Sequence, residues 1–194
     1  QWMARSSQTL SETDRRLVAA WAADCAERVL GIFEQVSPND SRPRDAIART
    51  RAFARGELDT ASEIRKRFGR GSAARDAQTP AAAAAARAAG QASAVCHMGA
   101  HALGAAAYAA RAMGLSRPDD PGAVTAEIHW QSRHMSKAVR AALATLPPVG
   151  QDRSGPLGPG LLATGQMLTI IQALQAEMAG KTVADGKHDQ MDQR

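Results

Sequence analysis

An all-α fold follows from three features of the sequence. Apolar residues fill 44% of the 194 positions, and the largest share is alanine, the residue with the highest intrinsic helix propensity. Aromatic residues are only 4% and β-branched residues are sparse, so little favours strand. Apolar side chains also recur at three- and four-residue steps, the spacing of a buried helical stripe. These features predict a single-domain helical bundle of about five to seven helices, with an extra C-terminal helix after a Gly/Pro-rich linker. The expected division is a flexible lead-in at 1–10, a helical core at 11–146, a linker at 147–160, a docking or swapped helix at 161–179 and a disordered tail at 180–194.

The first helix begins at Ser11, where Ser11-Glu12-Thr13-Asp14 approaches a capping box and places acids in the first turn. Leu17, Trp21, Cys25, Val29, Ile32 and Val36 form its stripe, and Pro38-Asn39-Asp40 ends it. Asp24 lies on the flank, four residues before Arg28. It reads either as a surface ion pair with Arg28 or as a carboxylate turned toward the central histidines described below. A short second helix follows Asp40-Ser41-Arg42-Pro43-Arg44, with Ala46, Ile47, Thr50 and Phe53 inward and Gly56 at its close. A third starts near Thr60, is interrupted by Phe68-Gly69-Arg70-Gly71-Ser72, and resumes over 73–76.

Thr79-Pro80 is a strong helix start, an N-cap oxygen followed by the residue best tolerated in the first turn. The stretch from there to Met113 is nearly uncharged. As one rod it would span about 50 Å, too long for a domain of this size, so a break near Gly99 or Gly104 is expected. His97, His101 and Tyr108 line one face of it, which makes them the central candidates for a site. The next helix starts at Asp119-Asp120-Pro121 and buries Val124, Ile128, Gln131, Met135, Val139, Ala142 and Leu146. Trp130 and His134 sit a turn apart on its other face, so this helix either contacts two neighbours or offers an aromatic patch to a partner. After Pro147-Pro148 and the linker, the apolar 161–179 helix must dock on its own bundle or exchange with a second copy, giving a homodimer.

No run of strongly apolar residues is long enough for a membrane span, and no signal pattern opens the chain, so a cytoplasmic protein is expected. Cys25 and Cys96 read as two reduced, buried thiols, with a disulfide between neighbouring helices as the alternative. The charge is uneven. Residues 42–75 hold ten Lys/Arg against four acids, a surplus of six on a chain whose net charge is +5. With no interleaved aromatics or glycine loop, that segment reads as a solvated helical face or a surface for an acidic protein rather than a nucleic-acid site. His97 and His101 at i and i+4 lack the glutamate of a zinc-protease motif, and neither a metal nor a cofactor is assigned. If the chain were an enzyme, His97, His101 and Tyr108 with Asp24 as orienter would carry acid–base chemistry; the residues alone do not decide between an enzyme and a binding protein.

Several segments carry a resemblance. Leu10-Ser11-Glu12-Thr13-Asp14-Arg15-Arg16, Trp21-Ala22-Ala23-Asp24-Cys25-Ala26-Glu27, Asp40-Ser41-Arg42-Pro43-Arg44-Asp45-Ala46-Ile47 and Ala74-Arg75-Asp76-Ala77 are the first of them. Ala88-Ala89-Gly90-Gln91-Ala92, then His97, His101 to Ala109, and Trp130-Gln131 continue the pattern. Together, over roughly residues 10–146, they resemble the small all-helical putative immunity protein family of bacterial polymorphic-toxin loci. The resemblance implies a helical bundle that neutralises a cognate toxin by direct binding. It also implies that Asp24, Arg42, Arg44, His97, His101 and Tyr108 form one polar cluster between the first, second and central helices. The alternative is a small-molecule binder or enzyme of specialised metabolism, with Asp24, His97, His101 and Tyr108 around a pocket. Trp21, Asp24, Arg42, Arg44, His97, His101, Tyr108, Trp130 and His134 are therefore the candidate binding residues, for a toxin or a small ligand.

Overall fold

A computed structural model describes residues 5–60 and 72–180. Among the described residues the secondary structure is entirely helical: α1 (Glu12–Val36), α2 (Arg42–Ala54), α3 (Ala73–Asp76), α4 (Pro80–Ala94), α5 (His101–Ser116), α6 (Ala123–Arg133), α7 (Lys137–Ala144) and α8 (Gly165–Met178). A single 3-10 turn, Leu161–Ala163, precedes α8. None of these helices is long and apolar enough to cross a membrane.

Local chemistry sets the starts. Ser11 Oγ accepts from the Asp14 amide and Thr79 Oγ1 from the Ala82 amide, each meeting an N–H that the first helical turn leaves over. Pro43 and Pro80 occupy the first turns of α2 and α4, where a missing N–H costs nothing. The segment expected to break at 68–72 falls mostly outside the described residues, as does the tail after Gly180.

The centre of the fold is the α4–α5 pair, crossed by α1, with α2 covering α1 and α4. Alanine explains the closeness of this packing: Ala85, Ala88, Ala89, Ala92, Ala102, Ala105, Ala106 and Ala109 are all at most 2% exposed. The large side chains come from elsewhere, with Trp21 and Phe33 from α1, Phe53 from α2 and Leu103 from α5. From the expected α1 stripe, Trp21, Cys25 and Val29 are fully inside, whereas Leu17 is 37% exposed at the edge.

The long central helix breaks at 95–100, and the N-terminal segment fills the break. The amides of Gly99 and Ala100 donate to the carbonyls of Thr9 and Gln8. A Cβ on Gly99 would overlap the Leu10 side chain, so only glycine admits it. Leu10 itself has φ 62°, a strained conformation for a branched residue, and the buried Arg15 fixes it by donating to the Leu10 carbonyl (2.8 Å) and the Cys96 carbonyl (3.1 Å). Burial lowers the Arg15 pKa from its ordinary value, as expected for a guanidinium served mainly by carbonyls.

Residues 8–10 of the lead-in and residues 152–157 of the linker are therefore packed into the bundle where flexibility was expected. Gln8 is fully buried, and its Nε2 donates to Asp152 Oδ2 (2.7 Å) and the Ser154 carbonyl (2.6 Å), while its Oε1 accepts from the Leu157 amide (2.9 Å). Leu157 is fully buried as well. Composition suggested mobile segments; one buried amide joins them across the bundle. The helix expected over 119–146 also divides, because Ser136 caps a new helix by accepting from the Val139 amide. Beyond it, α8 packs on α5, α6 and α7 of its own chain, with Ile171 and Leu174 fully buried.

Candidate functional site

The nine candidate residues separate into three places. The first is a cavity of about 410 Å³ lined by His101 and Tyr108 together with Gln91, Met98 and Leu162. Its outer wall is the turn containing Pro156, Pro159 and Leu161, in the segment read as a linker. His101 is the first residue of α5, and its Nδ1 lies 2.8 Å from Gln91 Oε1 of α4. Gly104 makes this contact geometrically feasible, since a Cβ there would overlap the Gln91 amide. His97, in the break, meets His101 edge-on with ring centroids 5.2 Å apart. Tyr108 lies two turns further along α5 and is 8% exposed. The His97–His101 adjacency thus survives the break, although the two no longer share one continuous helix, and Tyr108 shares the cavity lining with His101.

Asp24 is not among the residues lining that cavity. It binds Arg51 of α2 at 2.8 Å, and Arg51 also reaches Glu27. Neither the Asp24–Arg28 pair nor the Asp24–histidine arrangement expected from sequence is present. Arg28 instead makes a two-pronged bond with Glu127 of α6, at 3.1 and 2.9 Å, and lies over the Trp130 ring. That bond holds the Arg28 pKa above its usual value. Trp130 in turn stacks on His134 at 3.8 Å, so the Trp130–His134 pair forms the end of a cation–aromatic column. Sequence reasoning missed Glu127. Its signal is a lone acid amid the apolar positions of α6, where it is 2% exposed.

A second cavity, an open groove of about 470 Å³, runs between α1, α2 and α7. Trp21, Asp24 and His134 all line it, with Leu17 and Arg16. Trp21 is anchored by its indole N–H, which donates to the Gln131 carbonyl.

Arg42 and Arg44 make a third group, away from both. Arg42 binds Asp40 (2.7 Å) and Asp76 (2.8 Å), and Arg44 binds Glu34 (2.6 Å). With Arg51 on Asp24 and Glu27, and Arg55 on Glu57, four arginines of the basic segment are matched to acids, three of which, Asp24, Glu27 and Glu34, lie on α1. The positive surplus read from composition is thus offset at Arg42, Arg44, Arg51 and Arg55; residues 61–71 lie outside the described residues. Arg15 and Gln8, absent from the candidates, prove to be the groups that fix the break beside His97.

Cys25 and Cys96 are both buried and are not joined in a disulfide, and burial pushes the Cys25 thiol well above its ordinary pKa. Among the described residues no group of three or more His, Cys, Asp or Glu side chains could hold a metal ion.

A family model described as "Imm-5 like putative immunity protein" matches residues 8–138. No curated protein and no solved structure gives a match. The matched region begins at Gln8 and carries α1 to α6, the break, and all nine candidate residues, so by the extent of this match the chain belongs to the Imm-5 like immunity protein family.

Proposed function

We propose that this protein is a non-enzymatic binding protein that neutralises a cognate toxin by occluding it. The match to the immunity family over residues 8–138 carries this reading. The contact face we assign is the groove between α1, α2 and α7. Leu17, one of three large apolar side chains exposed among the described residues, lies in it beside Arg16, Asp24 and His134. An exposed aliphatic residue ringed by charged and aromatic groups is the usual make-up of an interface anchor and its polar rim. Arg42, Arg44, Arg51 and Arg55 are already bound to acids of this chain and do not call for an acidic partner.

The test is co-expression with each toxin domain found encoded beside the gene. Wild-type protein restores growth and forms an isolable complex. Leu17→Glu, at a position exposed enough to leave the fold intact, abolishes both. Failure of the wild type to protect against any neighbouring toxin overturns the function; protection unaffected by Leu17→Glu overturns the face.

A further inference from the structure

We infer that the cavity over His101 and Tyr108 is a binding site for a neutral small molecule with an apolar body and one hydrogen-bonding hydroxyl. This site is separate from the groove assigned to the toxin. Its volume of about 410 Å³ falls within the range of ligand pockets, roughly 300 to 1,000 Å³. Among the described residues no Lys, Arg, Asp or Glu lines it, and His101 is the one titratable side chain besides Tyr108. The walls are apolar, from Met98 on one side to Pro156, Pro159 and Leu162 on the other.

One polar group in this lining has no use within the fold. Tyr108 is 92% buried by its 8% exposure, yet its hydroxyl makes no hydrogen bond with a described residue. The hydroxyl oxygen is not among the buried polar atoms left without a partner, so it stays open to the cavity and is not sealed into the core. Here the ring lines the cavity, where a ligand hydroxyl can meet it. The neighbouring imidazole is held in place from the opposite side by Gln91, whose position depends on Gly104.

The outer wall is built to be both anchored and open. Leu157 and Leu162 are buried pins, and between them Pro159, Gly160 and Leu161 are exposed, with Leu161 at 77%. This wall belongs to residues beyond the family match at 8–138. The pocket is therefore completed by a segment outside the matched region, and its ligand need not be shared by the family.

The test uses 4-methylphenol as probe and toluene as its hydroxyl-free counterpart, followed by amide chemical shifts on the full chain. Both probes bind saturably at about millimolar or tighter, as expected of so few atoms, and shift Met98, His101, Tyr108 and Leu162. Tyr108→Phe keeps the ring and removes only the hydroxyl. It weakens 4-methylphenol about fivefold, the equivalent of one neutral hydrogen bond, and leaves toluene unchanged, which also verifies that the variant is folded. Absence of saturable binding, shifts located elsewhere, or an equal effect of Tyr108→Phe on the two probes overturns the proposal. Toxin protection is read separately, so either result stands whatever the outcome of the other.

Discussion

Replacing Gln8 tests whether a residue from an apparently loose N-terminal stretch holds the bundle together. The Gln8 side chain makes two bonds to the backbone of 154–157 and a third to Asp152, with no exposed surface. The two neutral bonds are each worth about 1 kcal/mol, and the Leu157 amide left unmet in a buried position adds a penalty of about 1–3 kcal/mol. Gln8→Met, which keeps most of the volume, therefore loses about 3 kcal/mol, and Gln8→Ala loses more because a cavity remains. Urea unfolding followed by circular dichroism measures the loss, with hydrogen exchange at the Leu157 amide as a local readout. A loss below about 1 kcal/mol with unchanged exchange at Leu157 would refute the reasoning, since it would mean the clasp is not formed in solution.

The Arg28–Glu127 pair gives a double-mutant cycle. Arg28→Met leaves a carboxylate at 2% exposure unpaired and costs about 2 kcal/mol, less than a fully buried pair because Arg28 is 37% exposed; adding Glu127→Gln recovers more than half. Cys25 and Cys96 resist an aromatic disulfide reagent until the chain opens, Cys25 more strongly, and rapid modification of the native protein at neutral pH would contradict their burial. Hydrogen bonds from arginine hold the carboxyls of Glu34, Asp40 and Glu57 below their ordinary values. Depressed acids stabilise the fold above their unfolded pKa and cease to do so as pH falls through the folded one. The melting temperature should therefore stay level above about pH 5 and fall below about pH 4, whereas a fall starting near pH 6.5 would implicate histidine instead. A chain ending at residue 146 loses Leu157, Leu162, Ile170, Ile171 and Leu174 from the core at about 2 kcal/mol each, comparable with a whole domain's stability, and should aggregate or unfold without cooperativity.

Features encoded within a few residues were legible in the sequence. The caps at Ser11 and Thr79, the first-turn prolines and the inward face of α2 are local, and each depends on backbone groups three or four positions away. The His97–His101 adjacency is of the same kind. Features that depend on how two helices meet were not legible. Asp24 was read against Arg28 because four residues separate them, but the crossing of α1 and α2 puts Arg51 closer, and α6 offers Arg28 a better acid in Glu127. Arg42 and Arg44 looked like one cluster with the histidines and turned out to serve separate acids. The surplus charge of 42–75 is similarly a property of a segment. The field at a surface depends on what faces that segment, and over its described part α1 faces it with Asp24, Glu27 and Glu34.

The same distinction bears on where the domain ends. The family match stops at 138, and Gly/Pro-rich composition after 147 suggests a boundary, yet packing shows none. Gln8, the first matched residue, bonds to 152–157, and Leu157, Ile171 and Leu174 are as deeply buried as anything in α1. Glycine and proline shape this stretch without freeing it: Gly155 takes φ 75° close against the Gln8 amide, which a side chain would displace. A linker in the physical sense has few contacts and a solvated backbone. Residues 150–160 have a buried leucine and a shared polar clasp instead, so the segment beyond the family match packs into the same core and supplies a wall of the pocket over His101.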